Sequence, residues 1–239
     1  MLWLFLRYLE SGETKWLYWL TFITALHYTD KATSYIFTAE ACIFLALLFV
    51  WELNKAKWKS NRAHSTFLTG VLLVGLAAML ALGFYTLSGS IASTHEAALA
   101  LDPNAPAPAG INAILMGRIP LLLSAVLVLG AVVYTARIVI KDLGWQTIRA
   151  SRSFDLIVLQ MLLILPLLTS LVANILGFNP TDYTDTAVLI KNGVIFSLLA
   201  LISVGLGLMW NKKVFLRSAA LFWGVFIIFY TSFFTHGEG

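Results

Sequence analysis

Charged residues are scarce in this sequence: of its 239 residues only 12% are Asp, Glu, Lys or Arg, whereas 59% are apolar. An ordinary globular domain carries about 25% charged and about 45–50% apolar residues. A water-soluble fold of this length could not hide so much apolar surface, because a large share of any folded surface faces water. The composition therefore excludes an ordinary soluble domain and predicts a protein whose helices face lipid.

Cysteine is almost absent, and the common motifs of nucleotide-binding proteins and hydrolases are missing. Cys42 is the only cysteine, which excludes an intrachain disulfide and a cysteine metal cluster. The sequence contains no P-loop, no G-x-S-x-G turn and no dinucleotide-binding fingerprint. The net charge of +4 is spread over short segments between apolar runs rather than along a continuous basic face. Nucleic acid is therefore not an expected partner.

Seven apolar runs are candidates for membrane spans, each of which needs about 20 residues as helix. They cover residues 16–28, 34–53, 67–87, 112–136, 154–178, 187–210 and 214–235, and the first is short for a full span. The pattern predicts an all-α fold, a polytopic transmembrane helical bundle of about seven spans. We expect one transmembrane helical domain over residues 1–239, in a multi-pass protein of the cell membrane.

The basic residues indicate the orientation of these spans. Of the 16 Lys and Arg residues, 13 fall at the N-terminus or on alternating connections, which places them on one side. Because Lys and Arg favour cytoplasmic segments, this side is predicted to be the cytoplasm, with the N-terminus inside and the C-terminus outside. The same rule predicts that the long connection over residues 88–111 is an extracytoplasmic loop. Its prolines predict an irregular backbone over residues 102–110.

Three basic residues depart from this alternation, namely Lys31, Arg118 and Lys191. Each is predicted at or just inside the outer end of a helix, where burying a charge costs free energy. If the three converge, they suit a phosphate group, because Arg offers a bidentate fork and Lys a point charge. The alternative is that each side chain reaches the lipid headgroups separately. We predict a shared site for a lipid phosphate.

Three acidic residues are further candidates. Glu40 lies inside the second run, so it is either a functional carboxylate or the ion-pair partner of Lys31 or Arg118. Asp30 precedes Lys31 and is either an acid–base group or an ordinary turn residue. Asp155 is predicted to begin a helix, close to the positive end of its dipole. Two polar pairs, His95–Glu96 and His236–Glu238, lack a third metal ligand, so no metal site is predicted.

Two segments carry a resemblance to a known family. Residues 7–53 read RYLESGETKWLYWLTFITALHYTDKATSYIFTAEACIFLALLFVWEL, and residues 220–239 read ALFWGVFIIFYTSFFTHGEG. Both resemble parts of GT-C-type membrane glycosyltransferases, in particular the dolichyl-phosphate-mannose-protein mannosyltransferase-like proteins that include flippase activity-associated proteins. In that family a cytoplasmic R-Y-L-E-E-G segment leads into an outward helix, and a Y-T-S/T-F-F-T-N segment ends a later one.

The resemblance implies transfer of a sugar from a polyprenyl-phosphate carrier at the extracytoplasmic face. Lys31 matches the lysine of the family's turn, whereas Ala32 stands where the family often has Glu, and Asp30 precedes the lysine. Donor phosphate binding is thus expected of Lys31, Arg118 and Lys191, and the catalytic residue stays unknown, with Asp30 and Glu40 as weak candidates. No cofactor is evident, although the family's reaction is compatible with a divalent metal.

The essential acidic residues of such enzymes lie in a first outer loop that this chain does not show. We therefore expect a fragment, the central part of a longer GT-C-like fold, whose partners are membrane lipid, the donor, and the remainder of the polypeptide or another membrane protein. The alternative function is a non-enzymatic membrane subunit or lipid-flipping accessory protein. A small transporter is disfavoured, because the charges do not follow a path across the membrane.

Overall fold

A computed structural model describes residues 1–30, 33–102, 106, 118–176, 178–181 and 184–230. These residues form helices and contain no β-strand. The α-helices are α1 (Leu2–Ser11), α2 (Thr14–Asp30), α3 (Ser34–Asn54), α4 (Asn61–Leu101), α5 (Arg118–Asp142), α6 (Trp145–Ala150), α7 (Arg152–Ile164), α8 (Thr169–Leu176) and α9 (Thr186–Tyr230). A short 3₁₀ turn, Leu165–Leu168, joins α7 to α8.

Within the described residues, five helices are long and apolar enough to cross a membrane, with mean hydropathies between 2.0 and 2.5. They are Ser34–Asn54, Asn61–Leu101, Ile119–Asp142, Arg152–Leu176 and Thr186–Phe229. Most of their side chains face outwards, which suits helices surrounded by lipid rather than water. These features are those of a helical membrane protein.

The chain divides into two compact units. The first contains α1, α2, α3, most of α6, α7, the 3₁₀ turn and α9. The second contains α4, α5 and most of α8. The core of the first unit is built around fully buried leucines of α2 and α7 and an aromatic ring of α9, including Leu20, Leu156, Leu159, Leu163 and Phe222. Pro166 lacks a backbone N–H, and the 3₁₀ turn that contains it interrupts the α-helical pattern after α7.

Helix α4 extends beyond the third predicted run. It has 41 residues and continues without interruption from Asn61 to Leu101, a length of about 60 Å at 1.5 Å per residue. The predicted extracytoplasmic loop over residues 88–111 therefore begins as helix, because its first part is rich in alanine and leucine and contains no proline. The helix ends at Asp102, the residue before Pro103. Of the predicted irregular stretch, only Asp102 and Pro106 are described.

Helix α9 contains the sixth predicted run and residues 214–230 of the seventh, and it turns back on itself at Asn211; residues 231–235 of the seventh run lie outside the described residues. Asn211 has non-helical backbone angles, φ −156° and ψ 94°. The rings of Phe196 and Trp223 lie 6.0 Å apart, although 27 residues of straight helix would separate them by about 40 Å. Residues 186–210 and 212–230 are consequently two antiparallel helices.

The sequence at this turn explains why a new helix begins there. The side-chain oxygen of Asn211 accepts a hydrogen bond from the backbone N–H of Val214 at 3.2 Å. This is the N-cap arrangement, in which a side chain satisfies one of the unpaired N–H groups of a helix start. The absence of a side chain on Gly207 lets the ring of Phe215 pack against the preceding helix.

In the second unit, α4 and α5 approach closely at Gly70. A Cβ atom placed on Gly70 would lie 2.5 Å from the hydroxyl oxygen of Thr135. We expect Gly70→Ala to lower the free energy of unfolding by about 1–3 kcal/mol, because the added methyl group overpacks the contact. Gly75→Ala is the matched control, since nothing lies within 4 Å of its added Cβ. Equal stability of both variants in detergent unfolding experiments would contradict the prediction.

Candidate functional site

The three predicted phosphate-binding residues differ in what the structure describes of them. Lys31 lies outside the described residues. Arg118 begins α5, in the second unit, and only its backbone is described. Lys191 lies near the start of α9, in the first unit, and is exposed. Because Lys31 and the side chain of Arg118 lie outside what the structure describes, the shared phosphate site stays a prediction.

The two weak catalytic candidates are both exposed. Asp30 is the last residue of α2, and Glu40 lies two turns into α3. Neither forms an ion pair with another described residue. A catalytic role for Asp30 or Glu40 accordingly stays a prediction.

The polar groups that do converge surround Asp155, at the start of α7. One of its carboxylate oxygens accepts a hydrogen bond from the hydroxyl of Tyr8 at 2.7 Å, and the other accepts one from the indole N–H of Trp210 at 2.8 Å. Tyr8 and Trp210 are both buried. Asp155 lies in the first turn of α7, where the helix dipole favours a carboxylate, but its hydrogen bonds join α7 to α1 and α9.

Glu52, at the end of α3, is a second carboxylate next to the start of α7. It accepts hydrogen bonds from the hydroxyls of Ser151 and Ser153, the latter at 2.7 Å. The two hydroxyl oxygens lie 2.8 Å apart. We call Tyr8, Glu52, Ser151, Ser153, Asp155 and Trp210 the Asp155 cluster.

Two arginines bind backbone carbonyls next to this cluster. Arg152 donates to the carbonyls of Leu9 at 2.8 Å and Glu10 at 2.6 Å, and Arg149 donates to the carbonyl of Trp210. Gly12 ends α1 with φ +69°, and a Cβ atom there would lie 2.9 Å from the Nε of Arg152. Glycine is therefore suited to this position both by its backbone conformation and by the space that Arg152 needs.

The Asp155 cluster is suited to holding helices together rather than to acid–base chemistry. Burial, and then the hydrogen bond to Asp155, raises the pKa of the Tyr8 phenol, so that Tyr8 remains a neutral donor. Both oxygens of Asp155 already accept hydrogen bonds from neutral groups. A charged acceptor of this kind makes stronger bonds than a neutral one. The cluster links α1, α3, α7 and α9 at one end of the first unit.

The part of the chain that the structure describes holds no group of three or more His, Cys, Asp or Glu side chains that could bind a metal ion. Comparisons with protein-family models, with curated proteins and with solved structures find no match. Function is therefore inferred from the residues themselves and from how they pack.

Sequence reasoning missed the Asp155 cluster. Tyr8 and Trp210 lie 147 and 55 residues away from Asp155 in the chain, so no local spacing connects them. One signal was available in the sequence. Glu52, Asp155 and Trp210 each lie near one end of an apolar run, and in all three cases it is the end predicted to be cytoplasmic from the basic residues.

Proposed function

We propose that this protein is a membrane glycosyltransferase of the GT-C type, or a fragment of one, that uses a polyprenyl-phosphate-linked sugar donor at the extracytoplasmic face. The observation that carries this proposal is the packing of the two segments in which the resemblance resides. Tyr28 and Tyr35 of the first segment are in ring contact at 4.9 Å, and Tyr28 also meets Phe222 of the second at 6.2 Å. Segments far apart in the chain thus form one packed region, as parts of a shared site would.

The seven-span arrangement draws support from the Asp155 cluster. That arrangement requires Tyr8, Glu52, Asp155 and Trp210 to share one side of the membrane, and hydrogen bonds gather these residues at one end of the first unit. Towards its other end, α2 carries Tyr28, beside Tyr35, whose hydroxyl donates to the carbonyl of Leu167 at 3.4 Å. Helix α2 has 17 residues, or about 25 Å, which suits a short span.

In this proposal, Lys31, Arg118 and Lys191 hold the donor phosphate near the outer surface. Lys191 is exposed near the start of α9, where a phosphate could reach it. The positive end of the helix dipole lies in the same region and also favours an anion. Asp30 and Glu40 are the weaker candidates for assisting the acceptor.

Replacement of Lys191 or Arg118 by Ala is expected to weaken binding of polyprenyl monophosphate about tenfold, because each variant loses a charge-assisted contact with the phosphate. The measurement is a lipid-binding titration of the purified chain in nanodiscs. Lys191→Arg should retain most of the affinity. Lys213→Ala is the control, because Lys213 is also an exposed residue of α9 but lies on the predicted cytoplasmic side. Unchanged affinity in both Lys191→Ala and Arg118→Ala would remove the phosphate role.

The second candidate function is a non-enzymatic membrane subunit or lipid-flipping accessory protein. It is favoured by the Asp155 cluster, in which both carboxylates are engaged in hydrogen bonds within the helical packing. A labelled polyprenyl-phosphate sugar separates the two functions. Transfer or release of the sugar by the purified chain supports the enzyme, whereas binding without turnover, accompanied by movement of a labelled carrier between leaflets, supports the accessory protein.

A further inference from the structure

One face of α2 forms a groove with α9. Lys15, Tyr18, Trp19 and Phe22 are spaced as i, i+3, i+4 and i+7, which places them on the same face of the helix. Together with Leu221 they line a cavity of about 400 Å³. This volume lies within the range of about 300–1,000 Å³ that ligand sites usually occupy.

The groove faces away from the protein core. Leu17, Leu20, Thr24 and Tyr28 occupy another face of α2 and are buried in the first unit. On the groove side, Trp19 is 56% exposed. Helix α2 therefore packs one apolar face against the protein and presents a second one to its surroundings.

One end of the groove is positively charged, because Lys15, in the first turn of α2, is one of its lining residues. Its ammonium lies 5.0 Å from the centre of the Trp16 ring, and Trp16 makes an edge contact of 5.3 Å with Trp3. Arg7 lies 5.3 Å from the centre of the Trp3 ring. Two cations thus flank a pair of aromatic rings beside the groove.

Each of these cations also has a carboxylate partner. Lys15 pairs with Glu13, and Arg7 pairs with Glu10 at 3.5 Å. All four side chains are at least half exposed. Exposed ion pairs of this kind contribute about 0–1 kcal/mol, so Lys15 can exchange Glu13 for another anion at little cost.

We propose that this groove binds one anionic phospholipid, with an acyl chain against Trp19, Phe22 and Leu221 and the phosphate at Lys15. The apolar lining accounts for the acyl chain, because the rings of Trp19 and Phe22 offer aromatic surface against which the chain can pack. Lys15 accounts for the headgroup, since an ammonium is a point-charge partner for phosphate. The inference does not depend on the proposed glycosyltransferase function.

The test is native mass spectrometry of the purified chain, titrated with phosphatidylglycerol and, separately, with phosphatidylcholine of the same acyl chains. Lys15→Ala is expected to weaken phosphatidylglycerol binding about tenfold and phosphatidylcholine binding by less, because the choline ammonium offsets the charge of the phosphate that Lys15 contacts. Lys15→Arg should retain the preference. Glu13→Gln, which removes the competing carboxylate, should tighten phosphatidylglycerol binding up to about fivefold.

Lys57→Ala is the charge-matched control, because Lys57 is exposed and does not line the groove. Glycerol phosphate at the same concentration should fail to displace the lipid, since it lacks the acyl chain. Three results would overturn the proposal: equal binding of the two lipids by the wild-type chain, equal loss in Lys57→Ala and Lys15→Ala, or displacement by glycerol phosphate.

Discussion

Replacement of Asp155 by Ala is expected to lower the free energy of unfolding by about 3 kcal/mol, because hydrogen bonds to a charged group contribute about 1.5–3 kcal/mol each. The substitution leaves the hydroxyl of Tyr8 and the indole N–H of Trp210 without their acceptor. Both side chains are buried, so water cannot readily take the place of the carboxylate. The variant also loses a favourable charge in the first turn of α7.

Thermal unfolding in detergent measures this effect, and a loss of about 3 kcal/mol corresponds to a fall in Tm of roughly 6–12 °C for a chain of this size. Asp155→Asn should fall between Asp155→Ala and wild type, because the amide keeps one acceptor oxygen. Tyr8→Phe removes one of the two hydrogen bonds to the carboxylate and should cost about 1.5 kcal/mol.

Asp142→Ala is the matched control for Asp155→Ala. Asp142 accepts one hydrogen bond from the backbone N–H of Lys59 at 2.9 Å, in an exposed position, so its loss should cost less than about 1 kcal/mol. If Asp155→Ala and Asp142→Ala unfold at the same temperature, the Asp155 cluster does not hold the first unit together.

The apolar runs were readable from the sequence because lipid makes length and hydropathy strong signals. Predicted runs 34–53 and 187–210 lie within α3 and α9, close to the observed helix ends. The break between the sixth and seventh runs was also predictable, since Asn211, Lys212 and Lys213 interrupt the apolar pattern where α9 turns back. The first run was predicted to be short, and α2 extends it by two residues at each end.

The continuation of α4 was not predictable from hydropathy. A hydropathy scan places the end of a run where apolar residues give way to polar ones. A helix, in contrast, ends where its backbone hydrogen bonds stop. Residues 88–101 favour helix through alanine and leucine although they include polar groups such as His95. Helix propensity and hydropathy are separate properties, and here they change at different positions.

The candidate site was less predictable than the helices. The apolar run over residues 187–210 placed Lys191 near the start of a helix, where it is found, but the sequence contains no information on which neighbouring helix that side chain faces. The same limit applied to Asp155, whose hydrogen-bonding partners come from α1 and α9. Contacts between helices depend on rotation about each helix axis, and apolar sequences that face lipid on several sides leave that rotation poorly specified.

Gly207→Ala is expected to destabilise the protein by about 2–3 kcal/mol, the upper part of the range for overpacking a core contact. The added Cβ would lie 2.4 Å from two ring atoms of Phe215. Phe215 is only 2% exposed, so its ring cannot move aside without displacing other buried side chains. The resulting overlap pushes apart the two halves of α9, which the turn at Asn211 brings together.

Gly205→Ala is the matched control two residues away, since nothing lies within 4 Å of its added Cβ. It should leave stability unchanged or raise it by up to about 1 kcal/mol, because alanine favours helix over glycine. A double-mutant cycle with Phe215→Leu then isolates the contact, and Gly207→Ala should cost less in that background. Equal effects of Gly205→Ala and Gly207→Ala in reversible unfolding would show that the close approach of Phe215 to Gly207 does not stabilise the turn. A cost of Gly207→Ala that Phe215→Leu leaves unchanged would place the strain elsewhere in α9.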